Sequence, residues 1–201
     1  MKHREKLTTL LSFTLYILLS GLSMDFTQMT YDLYIYEGNE RASASILDTP
    51  KFVYVKEYDY FIPEEYKDYV EALSKEYGIP SWVMPRIFTR ESGWDEKAVN
   101  RNNKDGSVDY GIAMLNSNNL EYFAWKFNGG KEVDYFNGKE SILIAVRYFN
   151  HLHKQFGNLE KAIMAYNCGP GKVKRNTIPE STKEYLAYVT QYTLVQIQVR
   201  S

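Results

Sequence analysis

At 201 residues, with 44% hydrophobic and 15% aromatic content, the chain has apolar material for one packed domain and a tail, but not for two full domains. Its 24 basic and 25 acidic residues leave a formal charge of -1, so the cationic excess that phosphate neutralisation demands is missing and nucleic acid is not expected as a partner. Cys168 is the single cysteine, which rules out an intramolecular disulfide and leaves stability to packing.

Lys2, Arg4 and Lys6 precede an uncharged stretch from Leu7 to Met24 with its apolar centre at Leu10 to Leu19. A cationic start followed by a short apolar run is the pattern of a signal peptide. Gly21-Leu22-Ser23 sets small residues two apart, which predicts cleavage after Ser23. The stretch is also near the minimum length that spans a bilayer, so an uncleaved inner-membrane anchor is the alternative. Either outcome makes residues 1–23 a targeting segment and the rest an exported, periplasmic or cell-envelope protein. Without them the chain holds 21 basic and 24 acidic residues and is mildly acidic.

Residues 24–61 are rich in Tyr and Asp, contain β-prone runs such as Phe52-Val53-Tyr54-Val55, and show no helical period. They read as an extension that packs on the domain, serves as a linker, or contacts an envelope-complex partner. The domain proper is assigned to 62–201.

From Pro63 the pattern turns helical, with Tyr66, Tyr69, Val70, Leu73 and Tyr77 at three- and four-residue spacing and Gly78-Ile79-Pro80 as the stop. Ser81 is expected to cap the next helix, whose apolar face is Val83, Ile87 and Phe88 and whose last turn carries Glu91. Asn100 to Tyr110 is dense in Asn, Asp, Gly and Ser, which favour turns, so a loop or short hairpin is predicted. A short helix follows from Leu120 to Phe127. A longer one runs from Glu140 to Phe156, with Ile142, Ala145, Val146, Phe149 and Leu152 on one face and Gly157 as its stop. Asn158 caps a helix through Leu159, Ala162, Ile163 and Tyr166, and a last helix is predicted from about Ser181 to Ile197. No internal repeat is present. The expected fold is mainly α, with one small loop or hairpin excursion.

Glu91 is the acid that stands out. It follows Ile87 and Phe88, precedes Trp94, and is the only acid between Glu76 and Asp95. A carboxyl in so apolar a setting has its pKa raised, which is what a proton donor working near neutral pH requires.

Three blocks occur in order: Arg90-Glu91-Ser92-Gly93-Trp94, Tyr110-Gly111-Ile112-Ala113-Met114-Leu115 and Ala165-Tyr166-Asn167-Cys168-Gly169-Pro170-Gly171. Together they resemble the lytic transglycosylase domain of the soluble type, with its Glu-Ser, Gly-Leu-Met-Gln-like and Ala-Tyr-Asn-Ala-Gly-Pro-Gly motifs. The resemblance covers about residues 64 to 190, and the third block is its most specific part.

The resemblance implies a lysozyme-like helical fold, peptidoglycan glycan strands as substrate, and cleavage between N-acetylmuramic acid and N-acetylglucosamine. It implies that Glu91 protonates the glycosidic oxygen and then acts as base while the muramic acid's own 6-hydroxyl closes a 1,6-anhydro ring. Tyr166 and Asn167 would line the groove and Ser92 would support the glutamate. A partly kept Glu-Thr-x-x-Tyr block, Ser181-Thr182-Lys183-Glu184-Tyr185, supplies Tyr185 as a neighbour of the acid. No metal or organic cofactor is implied.

Two features leave alternatives open. Met114 stands where the family usually has Gln, removing an amide that contacts substrate, which keeps a non-catalytic peptidoglycan-binding module of an envelope complex in view. The run from Asn100 to Asp109 resembles the hairpin of chicken-type lysozymes, which place a second carboxylate at the matching Asp. Asp109 therefore reads either as a turn-forming acid or as the partner of Glu91 in a hydrolytic muramidase. Lysozyme is itself the type case of that two-carboxylate geometry.

Cys168 is expected as a small buried filler and His151 and His153 as solvated surface residues. Trp82, Trp94 and Trp125 are expected to pack, with sugar stacking as the alternative for each.

Overall fold

In the computed structural model, which describes residues 33–34 and 51–199, local sequence signals set most element boundaries. Strands β1 (Leu33–Tyr34) and β2 (Lys51–Glu57) precede helices α1 (Lys67–Tyr77) and α2 (Val83–Ser92). Three two-residue strands follow, β3 (Val99–Asn100), β4 (Asp109–Tyr110) and β5 (Leu115–Asn116). Helices α3 (Leu120–Phe127), α4 (Gly138–Phe156), α5 (Leu159–Cys168), α6 (Pro170–Lys174) and α7 (Glu180–Thr190) lead to strand β6 (Thr193–Val199). The targeting segment 1–23 and most of the extension lie outside the described residues.

Glycines end α1 and α4 where they were expected, at Gly78 and Gly157, and Gly93 ends α2 in the same way: the three take left-handed φ of 64, 59 and 64°, a conformation glycine adopts without a Cβ clash. Asn158 caps α5 by accepting from the Lys161 amide at 2.8 Å, as predicted. Ser81 does not cap α2. The Val83 amide donates to the Pro80 carbonyl at 3.0 Å, so the turn opens at Pro80 and Ser81 lies inside it, leaving Trp82 as a cap without a side-chain bond.

The predicted face of α4 is fully buried: Ile142, Ala145, Val146, Phe149 and Leu152 all show 0% exposure. Around this axis α4 packs on α1, α3 and α5, while α5 supports α6 and α7, and α7 lies against α2. Burial of this many aliphatic and aromatic side chains, each contributing roughly 1.5–3 kcal/mol, is the main stabilising term. Trp82 and Trp94 join the core at 7% and 8% exposure, Trp82 stacked on Tyr58 with ring centroids 4.0 Å apart and Trp94 packed edge-on to Phe88. Trp125 is 69% exposed and does not pack into it. His151 and His153 are half-buried against Phe127 and Phe149 rather than solvated, because α4 is flanked on both sides. Cys168 is half-buried at the end of α5.

The last helix is shorter than expected. It stops at Thr190, and Thr193–Val199 forms β6, antiparallel to β2 from the Lys51↔Val199 pair to the Glu57↔Thr193 pair, with β1 on the other edge of β2. The reason is legible afterwards: Thr193, Val195, Ile197 and Val199 alternate with other residues, a two-residue period rich in β-branched side chains. A strand requires a partner, and that partner lies about 140 residues upstream along the chain. Buried Arg86 of α2 ties the two ends to the body by donating to the carbonyls of Asp59 (2.8 Å) and Tyr188 (2.5 Å).

The polar excursion is a three-stranded antiparallel sheet in the order β3-β4-β5. The β4–β5 turn requires Gly111, whose φ is 68° and whose absent Cβ would overlap the Tyr135 carbonyl oxygen.

Candidate active site

Glu91 occupies the last turn of α2, with the apolar Ile87 and Phe88 beneath it at 0% exposure. The residue is half-buried overall, but its carboxyl is enclosed enough that desolvation dominates and pushes the pKa up to about 7. The nearby Asp109 charge pushes it the same way, while the Tyr185 hydroxyl and Arg90 pull it down. Desolvation wins. A carboxyl half-protonated at neutral pH can both give and take a proton.

Tyr185, 94 residues further along the chain, donates its hydroxyl to Glu91 Oε1 at 2.6 Å. It can do so because Thr182, Tyr185 and Val189 are the buried side of α7 and α7 packs on α2. Burial first, and the adjacent carboxylate second, push the Tyr185 phenol far above its usual value, so it stays a donor.

The blocks singled out in the sequence converge. Ser92 Oγ donates to the Ile112 carbonyl at 2.8 Å, and the Tyr166 hydroxyl donates to the next carbonyl, that of Ala113, at 3.0 Å. The β4–β5 turn is thereby pinned from α2 on one side and from α5 on the other. Ser92 was expected to support the glutamate itself. Its hydroxyl instead fixes the turn facing it, because the end of α2 abuts the Ile112 carbonyl. Tyr166 is close enough to Glu91 that the carboxylate charge adds to desolvation in raising its phenol. Met114 is half-buried in the same turn at φ 47°, a left-handed conformation uncommon for a side chain of its size. Asn167 is exposed and accepts from the Thr182 hydroxyl at 2.7 Å, which sets which way round its amide lies.

Asp109 begins β4, and its carboxylate is already engaged. Oδ2 accepts from the amides of Asn100 and Asn103, both at 2.9 Å, and Oδ1 accepts from Asn116 at 2.6 Å. Three of roughly four lone-pair positions are taken. Asn100 and Asn103 belong to the stretch read as turn-forming, and Asn116 lies beyond it. Nothing in one linear sequence marks three amides separated by up to 16 positions as partners of a single carboxylate.

Among the described residues no group of His, Cys, Asp and Glu is arranged to hold a metal ion. A cavity of about 1290 Å³ lies at the opposite end of α2, between Lys56, Tyr58, Trp82 and Tyr192. Glu91 does not line it.

Comparison with known proteins agrees with this arrangement. The family model described as the transglycosylase SLT domain matches residues 68–189. Protein IpgF of Shigella flexneri and its Shigella sonnei counterpart are each 31% identical over 118 residues, 59% of this chain and 72% of theirs. Among solved structures, an inactive mutant of the lytic transglycosylase Slt from Pseudomonas aeruginosa and the 70 kDa soluble lytic transglycosylase from Escherichia coli share the fold, each with a TM-score of 0.53 at 22% identity. The matched region is 63% of this chain but only 23% of those longer proteins. With the family model covering more than half of its residues and the motif blocks gathered around Glu91, the chain belongs to the transglycosylase SLT domain family and carries a peptidoglycan lytic transglycosylase domain.

Proposed function

We propose that the protein cleaves the β-1,4 bond between N-acetylmuramic acid and N-acetylglucosamine in peptidoglycan glycan strands, with Glu91 as both acid and base. Glu91 first gives its proton to the glycosidic oxygen as the bond to the muramic anomeric carbon breaks. The resulting carboxylate then takes the proton of that sugar's 6-hydroxyl as the hydroxyl oxygen bonds to the anomeric carbon. The product is a 1,6-anhydro end, and no water is consumed.

One observation carries this reading: a carboxyl poised at about pH 7 by burial, held by Tyr185, next to a second acid whose oxygens are occupied by three asparagine amides. A nucleophilic or ion-pairing carboxylate needs an oxygen free to approach the anomeric carbon. Asp109 serves better as the fastener of the β3–β5 sheet, which supports the anhydro route over hydrolysis. In this reading Tyr166, Asn167 and Met114 form the groove wall and Ser92 holds its shape. Export is a corollary, since the substrate is in the envelope and residues 1–23 have the composition of a targeting segment. No helix among the described residues is long and apolar enough to cross a membrane. The N-terminal extension, whose strand β2 is paired with β6, is the part proposed to contact an envelope complex.

Mass spectrometry of purified sacculi digested with protein starting at Met24 tests the assignment. Muropeptides one water lighter than the hydrolysed form are expected, and their loss in Glu91→Gln. Reducing ends would assign the hydrolytic route with Asp109, and no release at all would favour the binding-module reading.

A further inference from the structure

The three tryptophans have separate fates, and one of them is unaccounted for by packing. Trp82 and Trp94 are in the core, whereas Trp125 on α3 is 69% exposed, and Tyr122, one turn earlier on the same side, is 38% exposed. Their ring centroids are 6.3 Å apart at 45°, and Lys126 places its ammonium 5.6 Å from the Trp125 ring. Exposing this much indole costs solvation free energy that a polar residue would not.

This pair is not a loose surface feature. Tyr122 is braced edge-on against Phe127 (5.6 Å, 85°), Phe127 packs on Tyr148 (6.0 Å), and Tyr148 packs on Tyr166 (5.8 Å). Tyr166 is the residue pinned to the Ala113 carbonyl beside Glu91. A continuous aromatic layer therefore runs from the cleavage site beneath the surface and emerges at Tyr122 and Trp125. The other face of α3, Phe123 and Phe127, anchors it to the core.

We infer that Tyr122, Trp125 and Lys126 form a distal platform for the glycan strand, away from Glu91, which retains long substrate during cleavage. The inference rests on the peptidoglycan reading above. Its occupant follows from chemistry: the apolar C–H face of a sugar ring matches an exposed indole, whose π-face attracts partly positive hydrogens. Peptidoglycan also carries carboxylates that complement the Lys126 ammonium: those of the stem peptide where it is attached, and that of the lactyl group where it has been removed. Rigid mounting lowers the entropy lost on binding.

The test uses the full chain carrying Glu91→Gln, so that substrate is bound and not consumed, with soluble glycan strands stripped of stem peptides as the first probe and intact sacculi as the second. Trp125→Ala is expected to weaken binding of both about tenfold, as loss of an aromatic anchor typically does. Lys126→Ala is expected to weaken binding of both probes, by a smaller factor than Trp125→Ala, because stripped strands expose lactyl carboxylates and sacculi carry those of the stem peptides. Because Trp82 and Trp94 are buried, a blue shift of tryptophan emission on adding stripped strands is expected in Glu91→Gln and absent once Trp125→Phe is added. In the active enzyme the Trp125→Ala loss should fall on KM for long strands. Unchanged affinity with no emission shift overturns the platform and leaves α3 to a protein partner. If instead no glycan is ever cleaved while the Trp125-dependent binding persists, the catalytic reading fails and the platform stands.

Discussion

Replacing Glu91 with Gln should change the stability of the protein relative to wild type by an amount that depends on pH in a way that only a buried, titrating carboxyl produces. Burial raises the Glu91 pKa from 4.5 in the unfolded chain to about 7 in the folded one. Between those values the folded state binds more protons than the unfolded state, so the stability of the wild type falls as pH rises. The contribution is fully present below about pH 4.5 and is lost by about pH 7. At 1.36 kcal/mol per pKa unit the window is worth about 3 kcal/mol. Gln does not titrate, and every other group is shared by the two proteins. The difference in unfolding free energy, Glu91→Gln minus wild type, should therefore move in favour of Gln by about 3 kcal/mol between pH 4 and pH 8. Any fixed cost of fitting the amide NH2 against Tyr185 is the same at both ends and cancels. For a chain of this size the change corresponds to roughly 10 °C in the relative Tm. Urea unfolding at several pH values, followed by tryptophan emission, measures it. A difference that stays flat between pH 4 and pH 8, or moves the other way, refutes the claim that desolvation governs this carboxyl.

Three further outcomes follow from the geometry. Tyr185→Phe removes the hydroxyl that favours the ionised form of Glu91, so the pKa rises further and the alkaline limb of the pH–rate profile should move up by about one unit; an unmoved limb would detach Tyr185 from the acid. Asp109→Asn places an NH2 group against at least one of three asparagine donors, and should cost about 1–2 kcal/mol in a urea melt while leaving the anhydro product, where any is formed, unchanged in mass. Gly111→Ala forces a Cβ at φ 68° into the Tyr135 carbonyl and should cost about 3 kcal/mol or more by thermal melting, with loss of the turn that Ser92 and Tyr166 grip.

Much of the fold was legible along the chain. Glycine stops, the Asn158 cap and the buried face of α4 are properties of segments shorter than 20 residues, because caps and periodicity act within a turn or two. Glu91 was legible for a similar reason, being a lone acid at the end of an apolar helical face. The misreadings came where a distant partner decided the outcome. The segment after Thr190 passed for helix by continuity, and only pairing with β2 makes it a strand. Ser92 looked like a support for its neighbour until the fold brought the Ile112 carbonyl to it.

By itself the sequence determined which segments coil, where they stop, and which carboxyl has too little polar company to ionise easily, since these depend on side chains a few positions apart. Only the tertiary structure decided what surrounds that carboxyl. Tyr185 is 94 positions away, the amides that occupy Asp109 come from three places, and the indole of Trp125 is left outside while those of Trp82 and Trp94 are enclosed. Desolvation and hydrogen bonding act over a few ångströms of space, and the distance between residues in space is set by how the helices pack.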